Sequence, residues 1–169
     1  MPKKSSKENK NIYFQRREEL NLTRDKASEL LETIPSDRIE KIENERVTPY
    51  PDEVLLMSEK YKSPEFCNYF CTHQCAIGEK YVDELKIEDL SKIVLQVLSS
   101  LNSVQKNQSR LIEIAADGKI EGDEIKDFIS IQKALEKISL TVDTLELWTE
   151  HMLANGSIDP EEYLKYTSE

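Results

Sequence analysis

The segment IEDLSKIVLQVLSSLNSVQKNQSRLIEIA, residues 87–115, decides the architecture of this chain. Within it Ile87, Leu90, Val94, Val97, Leu101, Val104, Gln108, Leu111 and Ala115 alternate at intervals of three and four, a heptad seam with one polar position at Gln108. That spacing predicts a long helix with one apolar side. Asp117-Gly118 ends it, glycine supplying the left-handed cap. A second long helix follows, with Phe128, Ile131, Leu135, Ile138, Val142, Leu145, Trp148 and Met152 along one side. Two such helices joined by a short turn are expected to lie antiparallel as a hairpin. Asn155-Gly156 closes the second, and Ser157 to Pro160 opens a short last helix bearing Tyr163, Leu164 and Tyr166.

An isolated hairpin leaves Ile93, Leu98, Ile112 and Ile114 on flanking positions of one helix and Ile129, Leu140 and Leu147 on the other. At roughly 25 cal/mol per Å² these are costly to leave wet, so a third element or a second chain should cover them. Homodimerisation through the hairpin is the expectation, and a monomer folding back on its own N-terminal half is the alternative.

On the N-terminal side the pattern changes to short segments. Residues 1–10, MPKKSSKENK, are polar and basic and read as a flexible arm. A first helix is predicted from Asn11 to Leu20, followed by Asn21 as a C-cap. A second opens at Thr23, a good N-cap, with Ala27, Leu30 and Leu31 inward. Pro35 and Ser36 precede a third with Ile39 and Ile42 inward. Arg46 to Pro51 must be a loop, because its two prolines cannot sit inside a helix. A fourth helix begins near Asp52 and buries Val54, Leu55 and Met57 or Tyr61, and a short fifth lies between Pro64 and Gly78. The expected fold is therefore all-α: an N-terminal five-helix helix-turn-helix domain, then a long antiparallel hairpin with a short final helix. The boundaries read as an arm at 1–10, a domain at 11–66, a cysteine-containing connector at 67–85, and the hairpin at 86–169.

Composition agrees with helices and narrows the function. Charged residues make up 33 % of the 169 residues, and Gly and Pro together number only ten. No run of about 18 apolar residues occurs, and the lysine-rich start leads into no apolar stretch, so neither a membrane span nor a secretory signal is predicted. The cytoplasm is the expected compartment. The net charge of −10 is unevenly spread: residues 1–66 hold 13 Lys and Arg against 14 Asp and Glu, residues 67–169 hold 10 against 19. A near-neutral first part can still offer a basic face to phosphates, while the acidic second part must point away from them. That acidic hairpin could also receive a protein partner.

The stretches Arg17-Glu18-Glu19-Leu20-Asn21-Leu22-Thr23-Arg24-Asp25-Lys26-Ala27-Ser28 and Arg38-Ile39-Glu40-Lys41-Ile42-Glu43, then Pro49 and the helix from Asp52, come in a fixed order. With them, residues 12–61 resemble the Cro/phage-repressor (XRE-type) helix-turn-helix family of transcriptional regulators. The resemblance implies a recognition helix beginning near Ser36 and braced from behind by the helix that starts at Thr23, fitted to the major groove of double-stranded DNA. It implies that Thr23, Arg24, Ser36, Asp37, Arg38, Lys41 and Arg46 meet bases or phosphates, and that Glu43 tethers the following loop. Two features depart from the family pattern. The turn between the second and third helices carries Glu32 and Thr33 where glycine is usual, and Asp37 and Glu40 put carboxylates on the recognition helix. A protein-interaction adaptor that keeps the fold without using DNA is the rival reading.

Cys67, Cys71, His73 and Cys75 are the other constellation, four conceivable zinc ligands within nine residues. Their C-x3-C-x-H-x-C order does not match the usual C-x2-C knuckles, and reduced thiols packing a short helix, or a redox-sensing pair, remain alternatives. No cofactor is expected on balance. Residues 117–124 carry glycines and carboxylates but lack the oxygen ligands a calcium loop needs ahead of its glycine. With only His73 and His151 as histidines and no Gly-rich phosphate loop, no catalytic set emerges, and an enzyme is not expected.

Overall fold

The computed structural model describes residues 10–116, 120–122 and 124–167. The basic arm apart from Lys10, and Asp117, Gly118, Lys119 and Asp123 of the expected break, lie outside the described residues. Every regular element among the described residues is an α-helix, nine in all. The all-α expectation holds. None of these helices is long and apolar enough to cross a membrane.

Five helices build the first core: α1 (Ile12–Glu19), α2 (Arg24–Leu31), α3 (Ser36–Glu43), α4 (Pro51–Lys60) and α5 (Glu65–Gln74). Their ends follow local chemistry. Asn11 caps α1 by accepting from Phe14 N, and Thr23 caps α2 by accepting from Lys26 N. Pro51 occupies the first position of α4, where its missing N–H costs nothing. Tyr13, Ala27, Leu31, Ile34, Ile39, Ile42, Val54, Met57, Tyr61 and Phe66 form one buried cluster. Tyr13 and Tyr61 meet Phe66 edge-on, at 4.9 and 6.3 Å between ring centroids. Burial pushes both phenols well above their ordinary range. Two leucines expected inside are exposed: Leu30, and Leu55 at 62 %. Each lies beside a buried neighbour, Leu31 and Val54, on a helix of ten residues or fewer. So short a helix needs only one turn-spaced set to fill its side of the core.

The stretch read as a connector is continuous with this core. Phe66 is fully buried, and Cys67, Tyr69 and Phe70 pack against the cluster. The short helix α6 (Gly78–Tyr81) follows. The chain divides into two compact units, one from 1–84 with 150–169 and the other Leu85–Thr149. The return of the C-terminal residues to the first unit is visible at His151, whose Nδ1 lies 3.7 Å from Glu65 Oε2. The last helix, α9 (Pro160–Thr167), belongs to the same unit.

The second unit consists of α7 (Leu90–Ala115) and most of α8 (Glu124–Asn155). The two pack together, and Arg110 near the end of α7 reaches Asp127 near the start of α8 at 2.7 Å, as an antiparallel pair requires. The expected seam holds in part, with Ile131 buried and Phe128, Ile138, Leu145 and Trp148 half-buried on α8, and departs elsewhere. Ile93, Ser100 and Ile114 are buried on α7, with Val97, Val104 and Leu111 half-buried, whereas Val94 and Leu101 stand 43 % and 51 % exposed. On α8 the buried residues are Ile131, Thr141, Thr144 and Leu147, while Leu135 and Val142 face out. Thr141 and Thr144 donate their hydroxyls back to Lys137 O and Leu140 O, which removes the cost of burying them. A seam drawn through apolar residues alone passes over such positions and lands one residue away.

Candidate nucleic-acid interface

The α2–α3 pair is held from the inside. Ala27 and Leu31 of α2 face Ile39 and Ile42 of α3 within the apolar cluster, and Ile34 fills the turn. That turn is tight: Glu32 has φ 56 and ψ −49, and Leu31 O accepts from Thr33 N at 2.5 Å, closing a γ-turn around a residue that carries a Cβ. This stands where glycine would be the unstrained choice.

Ion pairs fix α3 at both ends. At its C-terminal end Glu43, 1 % exposed, accepts from Arg17 Nε at 2.5 Å and Nη2 at 2.9 Å, and from Arg24 Nε at 2.9 Å. Arg17 also donates to Leu22 O at 2.7 Å, and Asn11 Nδ2 donates to Ile42 O at 2.8 Å. Burial works against the Arg17 charge, but the hydrogen bonds to Glu43 outweigh it and its pKa is raised. Glu43 thus anchors α1, α2 and α3 to one another rather than tethering the loop that follows it.

At the N-terminal end Arg38 plays the same part. Its Nε and Nη2 donate to the two carboxylate oxygens of Glu53, both at 2.8 Å, and Nη2 also reaches Thr48 O at 3.2 Å. The guanidinium lies 4.8 Å from the centroid of the Tyr50 ring. Glu53 completes the arrangement by accepting from Tyr50 N at 2.7 Å. Burial raises the pKa of Glu53, yet the hydrogen bonds from Arg38 and Tyr50 prevail and hold it below its ordinary value. Arg38, expected to reach bases, instead clamps the proline loop and the start of α4 onto α3. Glu53 and Tyr50 escaped the sequence reading. The signal for Glu53 was its place in the first turn of a helix that starts with proline, but nothing local named its partner 15 residues upstream.

The remaining expected contacts divide in two. Thr23 is spent on capping and Arg24 on Glu43. Ser36 is half-buried at the start of α3, while Asp37, Lys41 and Arg46 are exposed on or just after it. Lys41 Nζ meets Asp37 Oδ2 at 3.1 Å, and Arg46 lies 3.8 Å from Glu40. The hydrogen bond from Lys41 lowers the Asp37 pKa. Of the exposed charged residues between 21 and 46, Asp25, Glu29, Glu32, Asp37 and Glu45 are acidic and Lys26, Lys41 and Arg46 basic. The surface is therefore a patterned one and not a basic patch. Lys10, the described residue of the basic start, pairs with Glu18 at 2.6 Å.

The cysteines lie together on α5. Cys67 and Cys71 share a helix face, Cys75 caps the helix, and all three are half-buried free thiols. Burial, then Cys75 and Cys67, pushes the Cys71 thiol up. His73 points elsewhere: it is exposed and stacks on Tyr69, ring centroids 4.5 Å apart. Among the described residues no group of three or more His, Cys, Asp or Glu side chains is arranged to hold a metal ion. Gly78 packs directly on the backbone of this segment, since a Cβ there would come within 2.1 Å of Cys71 O.

Compared with known proteins, the chain matches no family model, no curated protein and no solved structure.

Proposed function

We propose that the chain is a DNA-binding transcriptional regulator of the XRE type, a binding protein rather than an enzyme. In this reading α3 enters the major groove of duplex DNA. One observation carries it: α3 is fixed at both ends by bidentate arginine–carboxylate pairs, while its outer side, with Asp37 and Lys41, faces solvent. A rod braced at a set angle with a polar outer side is what groove reading needs. Base contacts then fall to Ser36, Asp37 and Lys41, phosphate contact to Arg46, and Asp37 would accept from a cytosine amine. The molecule acts as a homodimer through its hairpin, reads paired half-sites, and works in the cytoplasm.

A second reading, an adaptor that meets a protein through the same surface, is favoured by a specific fact. Every cation the resemblance assigns to DNA already has a carboxylate within 4 Å. Selection of bound sequences from random duplex DNA, followed by titration at rising salt, separates the two. For a regulator, affinity falls steeply with salt, and Lys41→Ala weakens binding and flattens the salt dependence by about one counterion. No duplex binding at about 50 mM salt would leave only the adaptor.

A further inference from the structure

We infer that Cys71 and Cys75 form a reversible dithiol site, closed to a disulfide by exchange with a low-molecular-weight disulfide, while Cys67 keeps its thiol. The inference is independent of the nucleic-acid reading.

The three cysteines follow one side of α5 at intervals of four residues. On a helix that interval sets neighbouring Cα atoms about 6.2 Å apart and the outer two about 12 Å apart. Disulfides span roughly 4.4–6.8 Å between Cα atoms, so Cys67 and Cys75 cannot meet, while either could meet Cys71.

Packing separates the two possible pairs. Cys67 lies against the apolar cluster beside the buried Phe66, and its N–H donates to Pro64 O at 3.2 Å, with helical backbone on both sides. Closing Cys67 onto Cys71 would have to distort the middle of a regular helix. Cys75 is placed differently. Its backbone has left the helix, with φ −117 and ψ 114, and its carbonyl accepts from Glu79 N at 2.8 Å in the turn that follows. The last turn ahead of it can tighten toward 3₁₀ geometry, as helix ends commonly do, and so bring Cys75 to the spacing of about 5.5–6 Å that disulfides prefer. Access differs in the same sense. Among the described residues, the half-buried apolar side chains packed on the cluster include Cys67 but neither Cys71 nor Cys75. Both are half-buried free thiols outside that core, whereas a cysteine serving only as a small apolar filler belongs within it.

The order of events follows from the thiols. Burial, then Cys75 and Cys67, pushes the Cys71 thiol up, which keeps it protonated through the first step. Cys75 therefore enters first. Its thiolate attacks one sulfur of the small disulfide RS–SR, that bond breaks, and the leaving RS⁻ takes up the proton Cys75 has released. Cys71 then gives its proton to solvent, and its sulfur attacks Cys75 Sγ. The mixed disulfide breaks, and the second RS⁻ leaves and is protonated in turn. Two electrons pass from the two cysteines to RS–SR, which departs as two RSH.

The test equilibrates the full chain with oxidised and reduced glutathione and blocks the remaining thiols with N-ethylmaleimide. Mass spectrometry of chymotryptic peptides then maps the cysteines, since Tyr69 and Phe70 separate Cys67 from the other two. The expected product is an internal Cys71–Cys75 bond with N-ethylmaleimide on Cys67, exceeding the Cys67–Cys71 bond roughly tenfold and reversed by dithiothreitol. In urea that preference should vanish, because the fold supplies it. Cys71→Ser should stop at a glutathione adduct on Cys75, and Cys67→Ser should oxidise as the native chain does. A preference for Cys67–Cys71, the same mixture with and without urea, or a bond between two chains overturns the inference. So does a native chain that stops at glutathione adducts, or keeps three reduced thiols in excess oxidised glutathione. The map of the native chain decides even where a serine variant fails to fold.

Discussion

The five-helix core and the α7–α8 hairpin solve the burial problem in opposite ways. In the first, large side chains go inside and the charged groups beside them are satisfied within the chain, as Glu43 is by Arg17 and Arg24, and Glu53 by Arg38. In the second, Ser100, Thr141 and Thr144 are inside while Val94, Leu95, Leu98 and Leu101 are outside. The hairpin shares its seam between Ile93, Ile114, Ile131 and Leu147 and these small polar residues, and leaves a run of valine and leucine on α7 exposed.

The largest effect that would break this contrast is at Glu43. Glu43→Gln leaves Arg17 and Arg24 without their carboxylate in a buried site and is expected to cost about 3 kcal/mol in urea unfolding. A loss below about 0.5 kcal/mol would mean the first unit does not depend on its internal charges. Next is the Arg38 clamp. Arg38→Ala should cost about 2 kcal/mol, from hydrogen bonds to a charged partner, with the same loss in the absence of DNA. Its pH dependence follows from Glu53. The folded-state pKa of Glu53 lies below its ordinary 4.5, so its contribution is complete above that pH and disappears as pH falls through the lowered value. Acid titration of the unchanged chain against Glu53→Gln should show the two curves converging there.

The hairpin offers the contrary sign. Among the described residues Ser100 Oγ is buried without a hydrogen-bond partner, so Ser100→Ala should raise thermal stability by about 1 kcal/mol. A loss instead would show that the hydroxyl is satisfied in the assembled protein. The smallest change concerns the α2–α3 turn. Glu32→Gly relieves a positive φ but frees the unfolded chain, and a net gain of about 0.5 kcal/mol is expected by calorimetry.

How much of this was readable beforehand depends on range. Thr23 as a cap and the inward isoleucines of α3 are matters of one turn of chain, and they could be read directly, whereas Pro51, expected in the loop, is the first residue of α4. Leu30 and Leu55 misled because hydrophobicity says a residue can be buried, not that a short helix has room for it. On α8 the hairpin seam departed from expectation where Thr141 and Thr144, which bond their own helix, take inner positions; nothing of that kind explains Ile93 and Ser100 standing inside on α7 in place of Val94 and Leu101. Arg38 was misread for a different reason. Its identity suits a phosphate as well as a carboxylate, and only the folded loop brings Glu53 to it. Asp37 and Lys41, expected outward on α3, are exposed, as is Arg46, whereas Ser36 and Arg38 are half-buried and the pairings of this surface were not legible.

Gly78 shows how a residue with no chemistry can govern one that has it. Because the Cys71 carbonyl sits where a methyl group would go, the only atom position 78 can present there is hydrogen. Alanine would meet rigid main chain, not a side chain able to swing aside, so α6 would have to lift from α5. Cys75 lies three residues before it, and the span between the last two sulfurs would then be set by a different loop. Oxidation or alkylation of these thiols is for that reason best compared between the native chain and Gly78→Ala, where reactivity reports shape.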